Sequence, residues 1–197
     1  MKLILIRHCE TDGNKKEILQ GQLDVDLNLN GIKQARKLAE RLKKEKIDAF
    51  YSSDLKRARK TAEEIAKYHK SRLYITELIR ERKFGFFEGM KISDYQKIVN
   101  QWNIPHHKFR PPFGESYEDV LKRVKKFYSY IVRKHKNDTV AVVSHGALNR
   151  VMLSHILGIS LKEARELPQE NSCINVIEIN GSKARLISLN DCKHIKP

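Results

Sequence analysis

A chain of 197 residues suits one domain around a sizeable core, and 32% charged with 40% hydrophobic residues excludes a disordered segment. Three scattered cysteines (Cys9, Cys173, Cys192) exclude a disulfide framework, Leu3 to Ile6 is too short for a signal-peptide core, and no apolar run approaches the roughly 18 residues of a membrane span, so a cytoplasmic protein with no membrane partner is expected. The net charge of +15 favours anionic ligands, but the Lys and Arg residues alternate with Glu along helix faces (Lys37 to Arg41, Lys60 to Glu64) as on a solvated surface, which argues for a small anionic substrate and no nucleic acid.

Strands and helices alternate along the chain. Lys2 to Ile6 is an apolar run of strand length ending at Arg7-His8. From Gly31 to Lys46 the residues Ile32, Ala35, Leu38, Ala39 and Leu42 recur at helical spacing. Ile47 to Tyr51 reads as a second strand, closed by Ser52-Ser53-Asp54, of which Ser53 or Asp54 is expected to cap the next helix, with its stripe Ala58, Thr61, Ala62, Ile65 and Ala66. Arg72 to Thr76 reads as a third strand. Residues 82–115 are irregular and aromatic (Phe84, Phe86, Phe87, Tyr95, Trp102, Phe109), long for a plain connection, and are expected to form a lid or substrate insertion. Ser116 to Asp119 resembles a capping box and opens a helix carrying Val120, Val124, Phe127 and Ile131. Thr139 to Val143 reads as a buried strand stopped by Ser144-His145-Gly146, followed by a helix from Ala147 to Leu157 and another opened by Ser160. Cys173 to Ile179 and Ala184 to Leu189 flank Asn180-Gly181, a strong hairpin signal. The expectation is an α/β fold, a three-layer α/β/α sandwich in one domain over 1–197, whose central sheet is largely parallel with an antiparallel hairpin.

In open parallel sheets ligands bind beyond the carboxyl ends of the strands. There the sequence places Arg7-His8, then Ser52-Ser53 with Arg57 one turn on, then Arg80-Glu81, then Ser144-His145-Gly146. This set suits phosphoryl transfer. The transition state spreads negative charge over three equatorial oxygens, which planar guanidinium groups of Arg7 and Arg57 match. N–H groups near Gly146, at a helix start, are candidates to add to the anion site. A neutral imidazole can attack phosphorus in line, and Glu81 is the candidate to protonate the leaving alkoxide and then to activate water.

Arg7-His8-Cys9-Glu10-Thr11, with Asn14 and Gln20-Gly21, resembles the signature of the histidine phosphatase superfamily, the phosphoglycerate-mutase-like fold. The resemblance continues in Ser52 to Ala58 with Thr61-Ala62, in Arg80-Glu81 with Phe84-Gly85 and Glu88-Gly89, in Gly114-Glu115-Ser116 and in Ser144-His145-Gly146, in family order across about three quarters of the chain. It implies a phosphomonoester hydrolase acting through a phosphohistidine on a small phosphorylated metabolite, with His8 as nucleophile. Arg7, Arg57 and His145 would form the phosphate pocket and Glu81 would be the proton donor. Asn14 and Gln20 match positions that line the phosphate site. No metal and no other cofactor is implied.

Two departures stand out. Cys9 replaces the usual Gly or Ala, which places a thiol beside the nucleophile and suggests sensitivity to oxidants. Asp26 and Asn28 replace the usual Pro before and Thr after Leu27, in a loop that starts a helix. The alternative within the family is a mutase, but only 63 residues separate Glu81 from His145, which favours the compact phosphatase branch. A silent phosphate-binding or nucleic-acid-binding module is the alternative from another class; it would be expected to lack His8 or Arg7, and both are present. Trp102, His106, His107 and Arg110 are candidates either for lid packing or for contact with the non-phosphate part of the substrate. For oligomeric state the sequence offers only the general prior of a homodimer.

Overall fold

A computed structural model describes residues 1–102, 104–181 and 183–196. Its centre is a six-stranded sheet built from β1 (Lys2–Arg7), β2 (Ala49–Ser53), β3 (Leu73–Thr76), β4 (Thr139–Ser144), β5 (Ile174–Asn180) and β6 (Lys183–Asp191), in the order β3-β2-β4-β1-β5-β6. The first four strands pair in parallel, and β5 runs antiparallel to both β1 and β6. The register of β1 against β4, from Lys2 opposite Thr139 to Arg7 opposite Ser144, brings the two chain turns carrying His8 and His145 to the same edge.

Strand alternation divides the core into two layers. Leu3, Leu5, Tyr51, Val140 and Val142 point to one face and meet Val120, Val124, Phe127 and Ile131 of α5 (Tyr117–Lys134) and Leu148, Val151 and Met152 of α6 (Gly146–Leu157). Ile4, Ile6, Phe50, Ala141 and Val143 point to the other and meet Ala35, Leu38, Ala39 and Leu42 of α2 (Leu29–Leu42) and Ala58, Ala62 and Ile65 of α3 (Lys56–Ala66). This is the α/β/α sandwich that the periodicity predicts. A third cluster, Leu19, Phe84, Phe87, Tyr95, Val99 and Phe109, gives the aromatic 82–115 stretch a small core of its own.

Local chemistry differs from the sequence reading at several ends. The 82–115 stretch is not irregular throughout: it holds a 3₁₀ turn (Gly85–Phe87) and the ten-residue α4 (Ile92–Gln101), whose buried residues are Tyr95 and Val99. A one-turn α1 (Asp12–Lys15) carries a capping box between Thr11 and Asn14. The N-cap of α3 is Leu55, not Ser53 or Asp54, and it makes no side-chain cap. Its orphan donors are met from elsewhere: the Lys56 N–H donates to Asp24 Oδ1 at 2.8 Å. Asp54 is instead engaged by the Arg80 guanidinium. The Ser116–Asp119 capping box forms as expected, as does a second from Ser160 to Glu163 at the start of α7 (Leu161–Arg165).

At the departure from the family pattern, Asn28 takes the N-cap of α2: its side chain accepts from Gly31 N–H at 2.8 Å and donates to Glu10 Oε1 at 2.8 Å. Gly31 lets α2 approach the loop after His8, because a β-carbon there would stand 2.0 Å from the Glu10 carbonyl oxygen. We therefore expect Gly31→Ala to lower the unfolding free energy by about 1–3 kcal/mol, read as a shifted urea midpoint with an unchanged slope.

Candidate active site

His8 follows the last residue of β1 and its backbone is held from two sides. Its N–H donates to the Ser144 carbonyl at 2.9 Å, and its own carbonyl accepts from Ser172 N–H at 3.2 Å and from the Asn171 side chain at 3.1 Å. Nδ1 lies 2.7 Å from the Cys9 carbonyl oxygen. A carbonyl only accepts, so Nδ1 carries the hydrogen and Nε2 keeps the lone pair. Burial, followed by the charges of Arg57 and Arg7, holds the ring well below the ordinary histidine range, so it is neutral at physiological pH.

Two arginines flank it, Arg57 buried and Arg7 half-buried, each tethered to the main chain. Arg7 donates through Nη1 to the Gln169 carbonyl at 2.5 Å. Arg57, 1% exposed on the first turn of α3, donates to the Gly21 and Leu23 carbonyls, both at 2.7 Å. Gly21 has φ +51°, the left-handed turn that presents its carbonyl to Arg57, and a β-carbon there would collide with the Glu88 carboxylate. Burial lowers both guanidinium pKa values, that of Arg57 to about 10, yet both remain cationic. In each the Nε is buried and has no protein partner.

His145, at the N-terminus of α6, is fully buried, with its ring centroid 5.2 Å from that of His8. Neither ring nitrogen has a partner, and burial with Arg57 next in weight keeps this imidazole neutral too. Glu81 lies just beyond the 3₁₀ turn that follows β3 (Glu77–Ile79), and its carboxylate caps α6. Oε1 accepts from Leu148 N–H at 3.1 Å and from Arg82 N–H at 2.9 Å, and Oε2 accepts from Ala147 N–H at 3.2 Å. The helix-start donors expected for the ligand are thus engaged by Glu81 at Ala147 and Leu148, while Gly146 itself lines the cavity.

A cavity of about 240 Å³ is lined by Arg7, His8, Asn14, Gln20, Arg57, Glu81 and Gly146, so seven of the eight residues singled out in the sequence share one wall. His145 is not on that wall but packs beside His8. The Thr11 hydroxyl lies 2.8 Å from both Asn14 Oδ1 and Gln20 Oε1, which ties the two amides to the same loop. Of the four aromatic-segment candidates only His106 lines it; Arg110 is paired with Asp119. Among the described residues no group of three or more His, Cys, Asp or Glu side chains is placed to hold a metal ion.

Sequence reasoning missed several supporting residues. Arg123 donates to the Leu78 and Glu81 carbonyls, both at 3.0 Å, and pairs with Glu115, clamping the segment that carries Glu81. Its signal was available: it occupies the i+3 place in the Val120–Val124–Phe127 stripe. Arg82, 2% exposed, donates to the Glu115 and Phe109 carbonyls at 2.7 Å and lies under Phe84 and Tyr117. Gln169 and Asn171, which hold Arg7 and His8, come from beyond the last recognised motif and carried no signal.

The model of the histidine phosphatase superfamily (branch 1) matches residues 3–192. The chain belongs to that superfamily. It is 35% identical to phosphoserine phosphatase 1 of Hydrogenobacter thermophilus over 99% of this chain and 94% of that protein. It is 34% identical to a metal-independent phosphoserine phosphatase of Arabidopsis thaliana, over 98% and 83%. A mutant phosphoserine phosphatase of Entamoeba histolytica, crystallised with phosphoserine, superposes with a TM-score of 0.88 at 29% identity over 99% of both chains.

In this histidine phosphatase Cys9 is not the oxidant-sensitive thiol that its sequence position suggests. It is fully buried in the core between the sheet, α2 and α3, and burial pushes its pKa up to about 12, which leaves almost no thiolate to react. Iodoacetamide at pH 8 is expected to leave Cys9 unlabelled in the folded protein and to label it in denaturant, as read by mass spectrometry. A second expectation follows from the two neutral imidazoles. Unfolded histidines titrate near about 6.5, whereas His8 and His145 in the fold resist protonation until well below it. Protons then bind the unfolded chain preferentially, so stability falls as pH drops below about 6.5, by up to about 1.4 kcal/mol per pH unit for each ring. Urea unfolding between pH 7 and 5 should show this slope, and His145→Asn should flatten it.

Proposed function

We propose that this histidine phosphatase hydrolyses a small phosphorylated hydroxy acid, O-phosphoserine first among them, by way of a phosphoryl group carried on His8 Nε2. The observation that carries the reading is a cluster of four buried, unpartnered polar atoms, Arg7 Nε, Arg57 Nε and both His145 nitrogens, around a neutral imidazole. A buried polar group without a partner costs about 1–3 kcal/mol. Phosphoryl oxygens are strong acceptors, and a dianion here satisfies the two Nε–H groups and the single N–H of neutral His145 while the two guanidinium groups match its charge.

In the proposed sequence Nε2 attacks phosphorus as the ester oxygen departs, forming the N–P bond as the P–O bond breaks. Arg7, Arg57 and His145 hold the equatorial oxygens, whose charge grows in the transition state. Glu81 Oε2, with a single N–H contact, is the oxygen placed to deliver a proton to the leaving alkoxide. The resulting carboxylate takes a proton from water, whose oxygen attacks phosphorus, releasing orthophosphate and restoring His8. The substrate class is supported by the phosphoserine phosphatases among the relatives and by a cavity below the roughly 300–1,000 Å³ of drug-sized ligand sites.

His8→Ala is expected to reduce phosphate release from 4-nitrophenyl phosphate to background while its thermal midpoint stays near that of the parent; undiminished turnover would sink the proposal. Glu81→Gln should lower kcat on phosphoserine by about 10²–10⁴ and have a smaller effect on 4-nitrophenyl phosphate, whose leaving group needs no proton. Supplied with 3-phosphoglycerate and its bisphosphate primer, the enzyme should yield free phosphate; isomer without phosphate would favour a mutase instead.

A further inference from the structure

The end of the cavity remote from His8 carries charge that phosphoryl transfer does not use. Five arginines line the cavity against one carboxylate, Glu81. Arg7 and Arg57 already match a phosphate dianion. Of the remaining three, Arg82 and Arg150 are tied to backbone carbonyls, through Phe109 and Glu115 for the first and Leu167 for the second. Arg165, the last residue of α7, is half-buried on the wall and enters no ion pair or side-chain hydrogen bond among the described residues.

Its place in the cavity is distal. The charge of Arg165 acts on His106 and, behind that of Arg82, on Tyr95, both on the aromatic segment, whereas the arginines acting on His8 and His145 are Arg57, Arg7 and Arg123. Tyr95, 5% exposed, also lines this cavity, and its buried hydroxyl lies near the Arg82 guanidinium without a hydrogen bond of good geometry to any protein group. A guanidinium without an anion and a buried hydroxyl without a well-formed hydrogen bond therefore share one end of a pocket whose other end is built for phosphate.

We infer that Arg165 and the Tyr95 hydroxyl bind the substrate's carboxylate and so determine specificity for phosphorylated hydroxy acids over phosphate esters that lack one. The planar fork of one guanidinium matches the two oxygens of a carboxylate, and the Tyr95 hydroxyl supplies a further donor. The inference rests on the phosphatase reading above and adds the group that chooses among its substrates.

The test compares kcat/KM for O-phosphoserine with that for O-phosphoethanolamine, which differs by loss of the carboxylate. Arg165→Ala should lower the ratio by about 10–100-fold, the range of a charge-assisted hydrogen bond. Arg165→Lys should recover part of it, and Tyr95→Phe should lower it several-fold. Calorimetric titration of both esters into His8→Ala protein, with and without Arg165→Ala, reads the same preference as affinity in the absence of turnover. A ratio in Arg165→Ala within about twofold of the parent value overturns the assignment. Equal hydrolysis of both esters by the parent enzyme also removes the carboxylate subsite but leaves the phosphatase reading standing. Failure of the parent enzyme on both esters and on 4-nitrophenyl phosphate removes that reading, and the subsite with it.

Discussion

The structure turns on two guanidinium groups that line the cavity and, among the described residues, make no ion pair with a carboxylate. Burying a cation is costly unless its hydrogens are met, and here they are met in part by main-chain carbonyls: Gln169 for Arg7, Gly21 and Leu23 for Arg57. That arrangement explains otherwise unrelated features. The left-handed turn at Gly21 and the loop from α7 to β5 each supply a carbonyl or amide to a side chain of the site, the turn holding Arg57 and the loop holding Arg7 through Gln169 and Asn14 through Asn171. The same two charges, behind burial itself, keep His8 unprotonated and therefore nucleophilic. An ion-paired site would have offered phosphate less.

Glu81 shows how the chemistry is joined to the fold. Its carboxylate is the N-terminal cap of α6, a place where a negative charge is favoured by the helix dipole, and Arg123 holds its backbone from the opposite side. The residue proposed to move protons is thus located by a helix that starts immediately after His145 at the end of β4. One strand end positions two of the proposed participants, one by sequence and one by capping.

Much of this was legible in the sequence because it is local. The Leu3-Ile4-Leu5-Ile6 apolar run, the Ser116 box, Asn180-Gly181 and the strand-end placement of Arg7-His8 and Ser144-His145 each depend on neighbours a few residues away. What was not legible depends on distance. Asp24 caps α3 from across a loop, a contact no pattern around Leu55 announces. Helix α4 was hidden because its buried face packs only against the small aromatic cluster, so its Ile92–Tyr95–Val99 stripe was lost among surrounding aromatics. Cys9 was misjudged because adjacency to His8 in the chain says nothing of which face of the turn the thiol joins. Arg165 belongs to no motif and becomes visible only when α7 and the aromatic segment share a wall.

The tethering of Arg7 and Arg57 to backbone carbonyls has a kinetic corollary. Because their forks are locked in place by the main chain, little conformational freedom remains to be lost when an anion enters, and the affinity that results is blind to what the phosphorus was once attached to. On the proposed reaction, orthophosphate left behind by one cycle presents the same oxygens to the same fixed donors as the next ester does. A rigid cradle of this kind makes its own product a competitor, so that turnover responds to ambient phosphate as well as to the supply of substrate.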